Sequence, residues 1–221
     1  MIFFFAAAAL AAAECPSEAT AQAAVCKALV AEKSGQFAAA AAEFETAAGR
    51  AKPGDPAADR MLAAAGNMWI AANEPAKAAL ALDKALAGSG LLADQRGSAL
   101  LDRARAAEAQ NDLKSARARL TEAMSSIAED PFAWYFSAAL AVRENDLKTA
   151  DAAILKAMTL APNDADILFE AGHIAQLAGD EAKARDLWQK AVAANPAGPG
   201  GTAARKALDL LAQPAQPAPA K

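Results

Sequence analysis

PFAWYFSAALAVRENDLKTADAAILKAMTLAPND (131–164) runs without a gap into ADILFEAGHIAQLAGDEAKARDLWQKAVAANPAG (165–198), and the two 34-residue stretches align position by position. Position 8 is tiny in both (Ala138, Gly172), position 15 is Asn145 or Gly179, position 16 is Asp146 or Asp180, and positions 20 and 27 are alanine (Ala150 and Ala184, Ala157 and Ala191). Positions 4, 8 and 11 share one helical face, as do 20, 24 and 27. Each stretch therefore reads as two amphipathic helices joined by a turn. Gly and Asn are the residues that most readily take the left-handed conformation ending a helix. The acid after them can cap the next helix.

Working outward, the same pattern recurs from Gly97, Asp59 and Ala21. Position 20 becomes Ala116, Ala78 and Ala40, and position 27 becomes Ala123, Ala85 and Ala47. Position 24 is large throughout: Phe44, Leu82, Leu120, Ile154 and Trp188. Small residues facing one large residue let two helices interlock at native density. A fixed period in this range means a stacked array, because no single unit buries its apolar face alone. The chain has 221 residues, 55% of them hydrophobic but only 5% aromatic, so alanine supplies most of the core. The expected organisation is five repeats over 21–198 (21–54, 59–92, 97–130, 131–164 and 165–198). Two connections carry four extra residues, around Lys52–Ala58 and Gly88–Arg96, and read as lengthened loops. A capping helix is expected over 199–211 with Thr202 as its N-cap, then a disordered Pro/Ala tail over 212–221.

These residues resemble the tetratricopeptide repeat (TPR) family, over about 21–198. The family pattern wants a large residue at 4, Gly or Ala at 8, Ala at 20 and 27, a large residue at 24 and often Pro at 32, here Pro162 and Pro196. Position 7, usually Leu, departs as Lys27, Arg103 and Ser137. The resemblance implies an all-α fold, an α-solenoid of about five TPR-like repeats closed by the C-terminal helix. It also implies that the first helix of each repeat lines a concave face, with positions 2, 5, 6, 9, 12 and 13 pointing inward. Carried over, those positions gather Phe132, Tyr135, Phe136 and Phe169 with Arg105, Arg143, Glu170 and His173. Four of the nine Phe and Tyr residues thus fall in one expected groove, and aromatic anchors ringed by charge suit a protein or peptide partner. The alternative is that some of these rings pack between repeats, as Trp134 at position 4 should. A carboxylate clamp known in the family needs lysine at position 5, where this chain has Val25, Ala63, Leu101, Tyr135 and Phe169.

The first thirteen residues are uncharged and almost wholly apolar. Their length suits a signal-peptide core and falls short of the ~20 residues a membrane helix needs. Ala11 and Ala13 fit a cleavage site, leaving 14–20 as a lead-in and no integral membrane span after cleavage. Periplasmic export is the expectation, a cytoplasmic chain with an apolar N-terminal helix the alternative. Cys15 and Cys26 are the two cysteines, and an even count beside an export signal points to a disulfide. With a formal charge of −4 and no basic stripe, nucleic-acid binding is not expected. No nucleophile, phosphate-loop or zinc motif occurs, so no catalytic residue, cofactor or metal site is expected. The expected function is a non-catalytic scaffold for a protein or peptide of the bacterial cell envelope. A self-associating homo-oligomer, or an accessory subunit of an envelope enzyme, is the alternative.

Overall fold

The computed structural model describes residues 15–212; the expected signal peptide, 1–13, and the tail from 213 onward lie outside the described residues. The described chain contains eleven α-helices and no strand. It divides into two compact units, one ending at Gln110 and the other starting at Asn111. The first holds α1 (Ala21–Lys33), α2 (Phe37–Arg50), α3 (Ala57–Ala71), α4 (Pro75–Ala87) and α5 (Ala93–Ala109). The second holds α6 (Leu113–Ala123), α7 (Pro131–Arg143), α8 (Leu147–Leu160), α9 (Ala165–Leu177), α10 (Glu181–Ala194) and α11 (Pro199–Ala212).

All five position-15 residues have positive φ: Gly35 71°, Asn73 58°, Asn111 62°, Asn145 58° and Gly179 83°. At four of these turns the next amide reaches back five residues, as in Asp146 N to Ala141 O at 2.9 Å and Asp180 N to Ala175 O at 2.9 Å. That bond closes a Schellman cap and satisfies a carbonyl the helix leaves open. Position 16 then caps the following helix where it is aspartate. Asp112 accepts from Ser115 N, Asp146 from Thr149 N and Asp180 from Lys183 N, all at about 3.0 Å. Gln36 and Glu74, one methylene longer, make no such bond.

The packing follows from the small positions. All ten alanines at positions 20 and 27 are 0% exposed. In the first unit, a Cβ added to Gly66 would collide with Leu82; in the second, one added to Gly172 would collide with the Trp188 indole. In these two repeats position 8 is glycine because the large residue at position 24 fills its space. The first core gathers Phe44, Met68, Trp69 and Leu82, and the second Ile154, Leu168, Ile174, Leu187 and Trp188. Two of the three departures at position 7 make polar pairings. Arg103 meets Asp83 at 2.8 Å. Buried Ser137 accepts from Arg117, which also pairs with Glu144 at 2.5 Å.

Three local expectations are corrected. The extra residues around 52–58 and 88–96 are not wholly loop, because α3 begins at Ala57 and α5 at Ala93, lengthening each helix at its start. What remains of the second connection is tied to α3: Gly90 N donates to Asp59 at 2.7 Å, and Arg60 donates to Gly90 O at 3.1 Å. Thr202 is not the cap of the last helix, which starts at Pro199 and runs through Ala212. Its first turn is glycine for a packing reason. A Cβ on Gly200 would strike the Ala165 carbonyl and one on Gly201 the Asn195 carbonyl, so only glycines let α11 begin there.

Cys15 and Cys26 are bonded, with Cα atoms 5.6 Å apart, and the bridge ties the lead-in to α1. Thr20 caps α1 by accepting from Ala23 N at 3.1 Å. Replacing Cys26 with Ser should remove about 2–3 kcal/mol on the loop-entropy model, most of it local, because repeat stability is nearest-neighbour in character. Hydrogen exchange should accelerate in α1 and stay unchanged in α9. Uniform acceleration, or none, would contradict this.

Candidate functional site

In the second unit, α7 and α9 are adjacent, and each has one face of partly buried and exposed residues opposite its buried arc. Asp130 caps α7 by accepting from Phe132 N, and Asp164 caps α9 by accepting from Asp166 N and Ile167 N. The buried arc of α7 holds Ala133, Phe136, Ser137, Ala138, Leu140 and Ala141. Opposite lie Phe132, Tyr135, Ala139, Val142 and Arg143, at spacings that share one face. The corresponding face of α9 carries Asp166, Phe169, Glu170, His173 and Leu177.

Phe132 is 40% exposed and stacks on Tyr135, with ring centroids 5.7 Å apart and an interplanar angle of 29°. The two rings and Pro131 form one wall of a pocket of about 210 Å³, completed by Asp164, Asp166 and Ile167. Burial pushes the Tyr135 hydroxyl above its ordinary pKa, and the charges of Glu170, Asp166 and Asp164 push it further. Burial also raises the Glu170 carboxyl, against a smaller opposite effect of His173. At the other end of the face, His173 and Leu177 border a second depression with Val142, Asn145 and Leu147.

The raised Glu170 pKa has a stability consequence with a definite sign. The folded state holds this proton more tightly than the unfolded chain, so the contribution is fully present below the unfolded value. It is lost as pH rises through the raised folded value. Ionised Glu170 therefore destabilises the fold at neutral pH. Glu170→Gln should raise the melting temperature at pH 7, and the gain should vanish by about pH 4, below the ordinary glutamate value. Equal gains at both pH values would contradict the burial effect.

The structure places the sequence-derived residues unevenly. Phe132, Tyr135 and Arg143 on α7, and Phe169, Glu170 and His173 on α9, lie on the two less buried faces, with Tyr135 and Phe169 packed partly against the core. Phe136 does not: it is 8% exposed, within the buried arc. Trp134, expected in the core, lies only half-buried at the flank of the second core, its indole N–H donating to Ala128 O at 2.7 Å. The buried arc of α7 is centred between Ala133 and Ser137, so Phe136 and Trp134 stand on its two flanks, Phe136 the more deeply buried. Arg143 donates to the turn residue Asn111 at 2.9 Å. Arg105 belongs to the first unit, where Asp102 accepts from it and from Asn67, both at 2.8 Å. The aspartates of the pocket were missed. Asp166 was legible in principle, since it occupies position 2, one of the inward positions; Asp164 had no signal beyond its capping role.

No protein-family model and no curated protein matches the chain. Solved structures do. YrrB, a TPR protein with an unusual peptide-binding site, is 19% identical over 87% of this chain and 94% of its own, with a TM-score of 0.60. PilW, a widely conserved type IV pilus biogenesis factor, is 20% identical over 85% of this chain and 82% of its own, with a TM-score of 0.69. PilF of Pseudomonas aeruginosa is 14% identical over 87% and 82%, with a TM-score of 0.68. At these identities the likeness is one of fold: an all-α solenoid of helical repeats of the TPR type.

Proposed function

We propose that this protein is a non-catalytic interaction scaffold that holds a peptide or protein segment of the bacterial cell envelope on the open face of α7 and α9. The observation that carries this reading is the stacked Phe132–Tyr135 pair, partly exposed beside a pocket, on the less buried face of α7. Partly exposed aromatics beside a concavity are what binding faces offer as anchors. The fold it shares with YrrB, whose structure has a peptide-binding site, supports the same use of the repeats. The envelope assignment rests on the Cys15–Cys26 bond, which suits an oxidising compartment. The apolar segment 1–13 is in keeping with it. No helix among the described residues is long and apolar enough to cross a membrane.

A photo-crosslinking residue in place of Phe132, compared with one at exposed Ala182 on α10, tests this in cells. Position 132 should give a discrete adduct with another protein and position 182 none. Adducts from both positions alike would overturn the placement. Adducts joining only copies of this chain would favour the self-associating alternative.

A further inference from the structure

We infer that the pocket between the starts of α7 and α9 takes a basic side chain, a lysine or arginine of the bound peptide. This rests on the reading of the open face as a peptide-binding face. The pocket walls are the Phe132–Tyr135 stack on one side and Asp164 and Asp166 on the other. Asp164 uses Oδ1 to cap α9, and its other oxygen has no hydrogen-bond partner among the described residues. The same holds for the carboxylates of Asp166 and Glu170, although Glu170 is half-buried on the same face of α9, one turn beyond Asp166. Partial burial makes the Glu170 carboxylate costly to keep charged, and a ligand cation on this face would relieve it. His173, on the same face of α9, opposes Glu170's raised pKa without abolishing it, and Tyr135, Arg143 and Asp166 are the other titratable groups on the two faces.

The aromatic pair fits the same chemistry. An ammonium or guanidinium group over a ring face is attracted by the ring's negative charge density, and arginine also stacks on it through its planar fork. The acidic wall supplies charge-assisted hydrogen bonds to the same group. An acidic peptide would meet the like charges of Asp164 and Asp166, with Glu170 one turn further along α9, and a purely apolar one would leave the acidic wall unused.

The test uses the full ¹⁵N-labelled chain titrated with acetyl-Ala-Leu-Lys-Leu-Ala-amide and with its norleucine and glutamate counterparts. The lysine peptide should shift the amides of Phe132, Tyr135 and Asp166 and bind about tenfold more tightly than the norleucine peptide, with affinity falling as salt rises. In Asp166→Asn/Glu170→Gln that preference should disappear while norleucine binding remains; Asp166 is exposed and the Glu170 change should stabilise, so the fold should survive. Equal lysine and norleucine affinities at these amides would overturn the cation preference and leave the peptide-binding face standing. Tightest binding of the glutamate peptide would reverse it. No shift at these amides with any peptide would overturn the pocket, while the crosslinking at position 132 judges the wider reading independently.

Discussion

Replacing Trp188 with Ala is expected to cost the second unit about 3–5 kcal/mol of stability, the range for deleting a fully enclosed indole. Trp188 is 1% exposed, it fills the space that Gly172 leaves empty, and its N–H donates to Phe169 O at 3.1 Å. Alanine would leave a cavity on α10 facing α9, because the helices cannot close over it without moving the capped turn at Gly179. Trp134→Ala should cost clearly less, since that ring lies half-buried at the flank of the core. Chemical denaturation followed by far-ultraviolet circular dichroism compares the two. Equal losses would mean that the small-against-large contact between positions 8 and 24 does not carry the packing.

The double replacement of Phe132 and Tyr135 with Ala is expected to leave melting nearly unchanged and to weaken partner binding about thirtyfold. The magnitude follows from a hot-spot loss of ~2 kcal/mol. Phe136→Ala should do the opposite, destabilising the fold by about 3 kcal/mol or more through the cavity it leaves, with little change in intrinsic affinity. Affinity is measured on the partner captured at position 132, and stability by thermal melts of the same preparations. If the double variant melts as low as Phe136→Ala, the two rings are core and the open face loses its anchors.

The contrast between these variants also shows where the sequence is informative. The turns were legible because Gly35, Asn73, Asn111, Asn145 and Gly179 each answer a local demand, a positive φ. The alanines at positions 20 and 27 were legible because helix period alone puts them on the inner face. The orientation of α7 was not, since nearly every residue from Phe132 to Val142 is apolar or small and a helix hydrophobic almost all round has no unique inward face. The start of α11 was hidden for another reason. Gly200 and Gly201 read as helix breakers until the carbonyls of Ala165 and Asn195 are seen beside them. The pocket carboxylates escaped because aspartates at a helix start are ordinary caps, and only the neighbouring Phe132–Tyr135 stack gives them a second use. The stretch from 57 to 58 and from 93 to 96 shows the same limit: composition marked an insertion, but its local helix propensity let it extend α3 and α5.

The most direct measurement of the binding face is amide hydrogen exchange of the full chain with and without the partner captured at position 132. Slower exchange should be confined to α7 and α9, strongest from Phe132 to Arg143 and from Asp166 to His173, with α8 and α10 unchanged. Protection of α8 and α10 with none on α7 and α9 would place the partner elsewhere and contradict the proposed face.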